Sequence, residues 1–263
     1  MSDKVTRTNK NPVPELQRRW FIAAGALAVI GFAGYRAGWY SRLLGVREFD
    51  FQAIDDPAGF RKLPVGAISV SGVPLFGLDN EKDPGLVAAE AEIGRDICGS
   101  LFGPGPRPAS DVPIAYFFDY QCPICRRLTP VLRRLQGVQI EWHDLAGLGA
   151  SSVVAARATI AAGKQDAYDV FHDRLMRARF QATDGYVALL AESVGIDPDL
   201  LISDMQDASV DQRMWLSRAL SNKFGMVGTP GLSIGRTIVI GDISEADLKR
   251  LIEIERADPG VCA

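Results

Sequence analysis

The chain has 263 residues, enough for one or two domains, and its 47% hydrophobic and 23% charged residues are ordinary for a globular protein. A formal net charge of −3 at pH 7, without a basic patch interleaved with aromatic residues, argues against a nucleic-acid-binding protein. Four cysteines are too few for a disulfide-rich scaffold.

Residues 1–42 combine a basic beginning with an apolar stretch. Lys and Arg outnumber acidic residues from Met1 to Arg19, and Trp20 to Tyr35 carries no charge. This order is typical of an export signal or a signal anchor. Extended to Tyr40, the stretch approaches the about 20 residues that a membrane-spanning helix needs, and no clean small-x-small cleavage site follows it. We predict a transmembrane anchor at residues 20–40, with an exported and cleaved signal as the alternative.

The same charges predict the side of the membrane on which the chain lies. By the positive-inside rule the N-terminus stays cytoplasmic and the rest is exported. Disulfides form and persist outside the cytoplasm, so a periplasmic location agrees with the cysteine chemistry described below. Arg18-Arg19 resembles a twin-arginine export signal; the alternative is that the pair only supplies positive charge on the inside.

Residues 43–110 form an extra segment and a linker. Ile68 to Pro74 alternates like a brief edge strand. Asp83-Pro84-Gly85 begins a helical stretch, Leu86 to Leu101, with apolar residues at four-residue spacing. The Pro- and Gly-rich residues 102–108 are typical of a stiff linker. The segment can serve as a spacer from the membrane, a cap near the active site or a dimerisation arm, and the sequence does not choose between them.

Two cysteines stand apart from any motif. Cys98 lies on the predicted helix of the extra segment, and Cys262 is the next-to-last residue. Two leftover cysteines in an exported protein favour a disulfide that ties this segment to the end of the chain. The alternative is a buried Cys98 and a free, frayed Cys262.

The sequence around Cys122 predicts a buried strand followed directly by a helix. Apolar residues from Ile114 to Phe118 lead into Cys122-Pro123-Ile124-Cys125 and a helical stretch. Unpaired N–H groups at a helix N-terminus favour a thiolate, and such a thiol has its pKa lowered from about 8.5 to roughly 3.5–7.5. Pro123 fits the first helical turn. We expect Cys122 to be the exposed attacking sulfur and Cys125 the shielded resolving sulfur.

Downstream, a second strand is predicted at residues 138–142, followed by a helical region at about 148–224. Its predicted helices are 151–162, 165–179, 185–194, 199–205 and a last one that begins in a capping box at Ser209 and runs to Phe224. His172, on the second of these helices, is expected to be a packed or surface side chain, because no possible metal-ligand partner is spaced with it.

The C-terminal part predicts a hairpin and a helix. Leu232–Ile234 and Thr237–Ile240 flank a Gly-Arg turn. Ser244 caps a final helix that ends near Arg256, and residues 259–263 form a tail. Gly228-Thr229-Pro230-Gly231 comes directly before the hairpin.

Two of these stretches carry a family resemblance. Phe117 to Cys125 resembles the active site of the DsbA-like branch of the thioredoxin superfamily, and Gly228 to Gly231 resembles its cis-proline loop. Pro130 matches the proline that kinks the active-site helix. The resemblance covers roughly residues 111–257. It implies an α/β thioredoxin fold with a DsbA-like helical insertion at residues 111–258.

The resemblance also implies how the loop is used. It places a cis Thr229–Pro230 bond beside the Cys-x-x-Cys, where Pro230 discourages stray metal binding. The exposed Thr229 backbone would then pair with an extended substrate chain, as in β-augmentation.

The function implied is that of a protein thiol:disulfide oxidoreductase that needs no cofactor. Its expected partners are exported proteins with thiols or disulfides and a membrane redox protein that recycles Cys122. Pro123 and Ile124 tune the direction; the most oxidising relatives have a histidine where Ile124 stands, and Thr229 also occurs in reductive relatives. Periplasmic location, the helical insertion and Pro123 favour net oxidation, with a reductase or isomerase as the alternative.

Two alternatives do not involve catalysis. One is a structural disulfide without turnover. The other is a copper- or zinc-binding module or chaperone, since thiolates suit Cu(I). Zinc needs four ligands, however, and beyond this motif the chain offers only two isolated cysteines, His143 and His172. We therefore predict no metal.

Overall fold

The computed structural model describes residues 48–70, 83–106, 108 and 110–262. A compact unit begins at Phe51. The predicted anchor at residues 20–40, the Arg18-Arg19 pair and residues 71–74 of the predicted edge strand lie outside the described residues. Within the described ranges, no helix combines the length and apolarity needed to cross a bilayer.

The described residues form six strands and nine helices. The strands are β1 (Gln52–Ala53), β2 (Arg61–Pro64), β3 (Val112–Phe118), β4 (Val138–Asp144), β5 (Gly231–Ile234) and β6 (Thr237–Ile240). The helices are α1 (Pro84–Arg95), α2 (Ile97–Phe102), α3 (Pro123–Leu132), α4 (Ala150–Gly163), α5 (Tyr168–Arg177), α6 (Asp184–Val194), α7 (Pro198–Asp204), α8 (Ala208–Lys223) and α9 (Glu245–Ala257).

One mixed sheet holds the strands in the order β1-β2-β6-β5-β3-β4. β3 runs parallel to β4 and antiparallel to β5, and β5 and β6 form the predicted hairpin. Every residue of β3 is buried, as its continuous apolar sequence predicts for a strand covered on both faces. The arrangement is the expected thioredoxin-like α/β fold, with the helices α4 to α8 between β4 and β5.

The extra segment joins this sheet. β2 pairs in parallel with β6, and β1 pairs antiparallel with β2. Phe60, just before β2, packs against Phe224 with ring centroids 5.1 Å apart. The sequence did not predict either strand, because Lys62-Leu63-Pro64 shows no clear alternation. The domain division at residues 43–110 and 111–258 stays a prediction.

Two helices begin at aspartates that the sequence analysis did not select. The single helix expected over residues 86–101 is wrong, because Asp96 has φ −150° and ψ 90° and ends α1. Its carboxylate accepts the Gly99 N–H at 2.8 Å and thereby begins α2. The capping box expected at Ser209 is also wrong, because Asp207 accepts the Ser209 N–H and α8 already begins at Ala208. Asp207 lies two residues before Ser209, and its carboxylate accepts from an unpaired N–H group at the start of the helix.

A hydrophobic core lies between the sheet and the helices α1, α2 and α8. It contains side chains from the extra segment, from β3 and from α8, and it reaches the end of the chain. Its larger buried members are Phe60, Ile93, Leu101, Phe102, Phe117, Leu220, Phe224 and Ile238. The extra segment therefore shares a core with the strand that leads to the Cys-x-x-Cys.

Candidate active site

A tight turn joins β3 to α3, and Asp119 holds it together. The buried Asp119 carboxylate accepts the backbone N–H of Gln121 at 2.7 Å and the hydroxyl of Ser152 at 2.6 Å. Its other oxygen accepts the N–H groups of Gly147 and Leu148 at 2.9 and 3.0 Å. This turn links the end of β3 to the loop before α4 and fixes the position of the first cysteine.

Cys122 is the N-cap residue of α3. Its sulfur accepts the Cys125 N–H at 3.1 Å, and Pro123 takes the first helical position. The pKa of Cys122 is lowered to about 6, first by a hydrogen bond from the Cys125 side chain and further by hydrogen bonds involving Ser69 and Thr229, against the opposing effect of burial. A pKa near 6 leaves most of this sulfur as a thiolate at pH 7.

Cys125 has the opposite character. Both cysteines are free thiols in this structure, but burial raises the pKa of Cys125 well above its usual value, and its hydrogen bond to Cys122 raises it further. The proton therefore stays on Cys125 while Cys122 carries the negative charge. One sulfur can attack, and the other can close the disulfide after losing its proton.

The loop before β5 faces the two cysteines. The Thr229–Pro230 peptide bond is cis, and the Cys122 sulfur lies 3.6 Å from the Thr229 carbonyl oxygen. Thr229 and Pro230 are both buried. The structure thus brings together the four residues Cys122, Cys125, Thr229 and Pro230, although α3 and this loop are more than 100 residues apart.

The expectation that Cys122 is exposed is wrong for this structure. Its side chain has 0% exposure, as does that of Cys125. Ser69, in the extra segment, pairs with Thr229 in an antiparallel bridge beside the cysteine. The sequence predicted a short strand there but not the partner of that strand.

The two residues between the cysteines differ in their surroundings. Pro123 is exposed and Ile124 is buried, with 9% exposure. Ile124 supplies no donor to the thiolate. The hydrogen bonds that lower the Cys122 pKa come from Cys125 and from residues outside α3, Ser69 and Thr229.

Tyr116 is a neighbour of the active-site helix that the sequence analysis did not single out. It lies on β3, and its hydroxyl donates to the Cys125 carbonyl at 3.3 Å. Burial raises its pKa well above the usual value, so the phenol stays protonated. The motif begins one residue after it, at Phe117, and only the distance of six residues to Cys122 could have drawn attention to it.

A second buried polar group lies at the end of β4. Asp144 accepts hydrogen bonds from the hydroxyls of Tyr120 at 3.0 Å and Tyr168 at 2.9 Å. Burial raises the pKa of Asp144 to about 6. The predicted second strand ended at Trp142, two residues before this carboxylate.

Both histidines are buried and neutral. Burial lowers the pKa of His143 and of His172 to about 4. The Nε2–H of His143 donates to the Leu101 carbonyl at 2.9 Å, and its Nδ1 lies 3.3 Å from the Ser217 hydroxyl. His172 packs against the ring of Trp142, as the expectation of a packed side chain proposed. Across the described ranges, no three His, Cys, Asp or Glu side chains are grouped as a metal site would require.

The other two cysteines are joined in the structure. Cys98 on α2 and Cys262 form a disulfide with an S–S distance of 2.00 Å and a Cα–Cα distance of 5.3 Å. The bond connects the extra segment to the residues after α9, across 164 positions of sequence. Neither of its sulfurs is among the groups that shift the pKa of Cys122.

Comparison with known proteins gives a consistent result. A family model described as a DSBA-like thioredoxin domain matches residues 113–253, more than half of the chain. No curated protein sequence matches the chain.

Several solved structures are similar to it. A thioredoxin-like oxidoreductase from Silicibacter pomeroyi DSS-3 is 32% identical, with a TM-score of 0.56, and the match covers 60% of this chain and 97% of that one. The thiol-disulfide exchange protein alpha-DsbA2 from Wolbachia pipientis has 21% identity and a TM-score of 0.55, covering 66% and 99%. The catalytic domain of Proteus mirabilis ScsC has 22% identity and a TM-score of 0.53, covering 65% and 98%. At 21% and 22% identity, the similarities to the Wolbachia and Proteus proteins show only a shared fold.

Proposed function

The chain belongs to the DSBA-like thioredoxin domain family of thiol:disulfide oxidoreductases, and we propose that it exchanges disulfides with exported proteins through Cys122 and Cys125, with net oxidation of its substrates. Its proposed location is the periplasm, attached to the inner membrane by residues 20–40. Its proposed partners are exported proteins with thiols and a membrane redox protein that reoxidises Cys122 and Cys125.

One observation supports this function above the others. The sulfur of Cys122 is the N-cap of α3, has a pKa of about 6, and lies 3.6 Å from the carbonyl of Thr229 in the cis-proline loop. A low-pKa sulfur next to a backbone edge can react with a cysteine in a polypeptide that pairs with that edge. A structural disulfide without turnover needs neither the lowered pKa nor the loop.

The exchange follows in two steps. In the oxidised enzyme, a substrate thiolate attacks the Cys122 sulfur, the Cys122–Cys125 bond breaks, and Cys125 leaves and takes up a proton. A second substrate thiolate then attacks the substrate sulfur of the mixed disulfide and releases Cys122 as a thiolate. The substrate loses two electrons and gains a disulfide, and the enzyme is reduced to the dithiol. The low pKa of Cys122 favours the second step, because a low-pKa thiol leaves faster.

The same pKa supports the proposed direction. A shift of the Cys122 pKa from 9.0 to about 6 stabilises the reduced enzyme at pH 7 by roughly 1.4 kcal/mol, or about 30 mV for a two-electron couple. The thiolate therefore makes the disulfide more oxidising than an unperturbed pair. Because Ile124 offers no donor, we expect a potential above the thioredoxin value of about −270 mV but below the DsbA value of about −120 mV.

Equilibration with reduced and oxidised glutathione tests the proposal. The fraction of oxidised Cys122–Cys125 is measured by alkylation and mass spectrometry, with Cys98→Ser as a matched control that keeps the reactive pair. A potential near or below about −270 mV contradicts net oxidation and favours the reductase alternative. Complete failure to exchange with glutathione or with a dithiol peptide contradicts the proposed function itself.

The partners need a second experiment. In Cys125→Ser the mixed disulfide on Cys122 has no resolving sulfur and accumulates. Non-reducing isolation of this variant from the exported fraction, followed by identification of the attached proteins, names substrates and the recycling protein. Cys122→Ser, isolated in parallel, provides the background.

A further inference from the structure

The residues directly after β2 run along the cis-proline loop. We call Val65–Val70 the covering segment. The Val65 N–H donates to the Ile240 carbonyl at 3.1 Å, and the Ala67 carbonyl accepts the Asp242 N–H at 2.9 Å. These two contacts direct the chain from the edge of β6 towards Thr229.

At Ser69 the covering segment makes a complete antiparallel bridge. The Ser69 N–H donates to the Thr229 carbonyl at 2.7 Å, and the Thr229 N–H donates to the Ser69 carbonyl at 3.0 Å. Each antiparallel residue pair of this kind exchanges both of its hydrogen bonds. The Thr229 N–H and carbonyl are the groups that an extended substrate chain would need for the same pairing.

A glycine permits this close approach. A Cβ added to Gly228 would lie 2.5 Å from the Ser69 carbonyl oxygen and 2.8 Å from a Val70 methyl group. A Cβ on Gly66 would likewise lie 2.3 Å from the Asp242 carbonyl oxygen. The covering segment therefore packs backbone against backbone at both of its ends.

The Ser69 side chain lies near the reactive sulfur. A hydrogen bond from Ser69 is among the causes that lower the Cys122 pKa. Serine and cysteine differ only in the atom at the γ position, so Ser69 presents an oxygen where a paired polypeptide with cysteine would present sulfur. The contact remains non-covalent because a hydroxyl cannot form a disulfide.

The covering segment has few other attachments in the described structure. Gly66 and Ala67 are exposed, Ile68 and Ser69 are half-buried, and Val70 is 54% exposed. A segment with little buried apolar surface opens at low free-energy cost. We therefore expect this segment to open without unfolding of the sheet.

We propose that the covering segment is an internal competitor for the substrate-binding edge, with Ser69 in the place of a substrate cysteine. A polypeptide reaches Cys122 only when it displaces this segment from Thr229. The competition favours reaction with chains that can themselves pair as an extended strand, whereas small thiols and disulfides react only while the segment is transiently open. This inference rests on the proposed function, because it assigns the occupied edge to substrates.

A cross-link tests the register. The variant Ser69→Cys with Cys125→Ser is reacted with oxidised glutathione, which places glutathione on Cys122 by exchange. The introduced thiol at position 69 then attacks Cys122 and releases reduced glutathione, so one disulfide breaks and one forms. Val70→Cys with Cys125→Ser is the matched control, because neighbouring residues of an extended strand point to opposite sides. We expect the 69–122 link in most molecules and at least tenfold less 70–122 link by peptide mapping.

Displacement tests the competition. Ser69→Pro removes the N–H that bonds to Thr229, whereas Ser69→Ala keeps it. At pH 9, where Cys122 is a thiolate in both variants, we expect alkylation of Cys122 and oxidation of a dithiol peptide to be roughly fivefold to tenfold faster in Ser69→Pro than in Ser69→Ala. Equal rates in the two variants, or equal cross-linking from positions 69 and 70, overturn the inference.

Failure of the inference is distinct from failure of the function. If the wild-type protein equilibrates with glutathione but the paired variants behave alike, the oxidoreductase stands and the competitor does not. If the wild-type protein does not exchange at all while the 69–122 link still forms with a chemical oxidant, the geometry stands and the proposed function does not.

Discussion

The two cysteine pairs of this chain occupy regions with opposite properties. Cys122 and Cys125 are three residues apart, reduced, and placed where a helix begins beside a cis-proline loop. Cys98 and Cys262 are 164 positions apart and joined, with a half-buried and a buried side chain. The first pair has one sulfur with a lowered pKa and one with a raised pKa.

The difference shows what makes a thiol reactive in this fold. A helix N–H group and a neighbouring thiol stabilise the charge on Cys122, whereas the joined sulfurs of Cys98 and Cys262 carry no charge. The separation of two bonded cysteines along the chain affects stability instead. A bond across a long loop restricts the unfolded chain more than a bond across three residues. We therefore expect the first pair to control activity and the second to control stability.

The largest expected effect comes from removing one sulfur from each pair and comparing the activities of the two variants. Cys122→Ser is expected to lower disulfide exchange by at least about 10³-fold, because the attacking atom is lost. Cys98→Ser should leave the exchange rate within about twofold of wild type. The measurement is the initial rate of dithiol-peptide oxidation, and similar losses in both variants would contradict the division of roles.

The free energy of unfolding should fall when the Cys98–Cys262 bond is removed. Cys98→Ser is expected to lower the free energy of unfolding of the oxidised protein by roughly 2–5 kcal/mol, as removal of a native disulfide typically does. Urea titration measures this loss. Cys262→Ser should give an equal loss, and the double variant should lose little more, since both changes remove the same bond. A loss below about 0.5 kcal/mol would show that the bond does not restrict the unfolded chain.

A pH titration gives the smallest effect and refines the comparison within the reactive pair. The folded pKa of Cys122, about 6, lies below the unfolded value of about 8.5. The thiolate therefore stabilises the reduced protein fully above the unfolded pKa, and this stabilisation is lost as the pH falls through 6. We expect thiolate absorbance at 240 nm and the rate of Cys122 alkylation to rise with a midpoint near pH 6.

The control for the titration is Cys122→Ser, which should show no rise near pH 6 because Cys125 keeps its proton. A midpoint near 8.5 in the wild-type protein would remove the electrostatic basis for net oxidation. The Cys98–Cys262 disulfide has no thiol proton to lose and adds nothing to the curve.

Local sequence patterns predicted the parts of the site that depend on neighbouring residues. The apolar stretch before Cys122 and the proline after it predicted a strand and a helix that begins at the cysteine, and the structure has both. The resemblance of Thr229-Pro230 to a known loop supplied a contact that spacing alone could not. These features follow from backbone hydrogen bonding within a few residues or from a family motif.

The parts that were missed depend on contacts between distant residues. The bridge from Ser69 to Thr229 joins two segments 160 positions apart, and no periodicity in either segment identifies the other. β2 is short and contains a lysine and a proline, so its pairing with β6 is decided by the sheet rather than by propensity. The early start of α8 had a local cause, since an aspartate before Ser209 was available as a cap.

The Cys98–Cys262 bond is itself a disulfide of the kind that the proposed activity forms. Four cysteines permit three complete pairings, and only one of these leaves Cys122 and Cys125 available to each other. Maturation therefore requires an external oxidant that links the distant pair without consuming the neighbouring one. Under the proposed function, an oxidised copy supplies that bond to a newly made copy by exchange, so the stability of each copy depends on the activity of the copies already present.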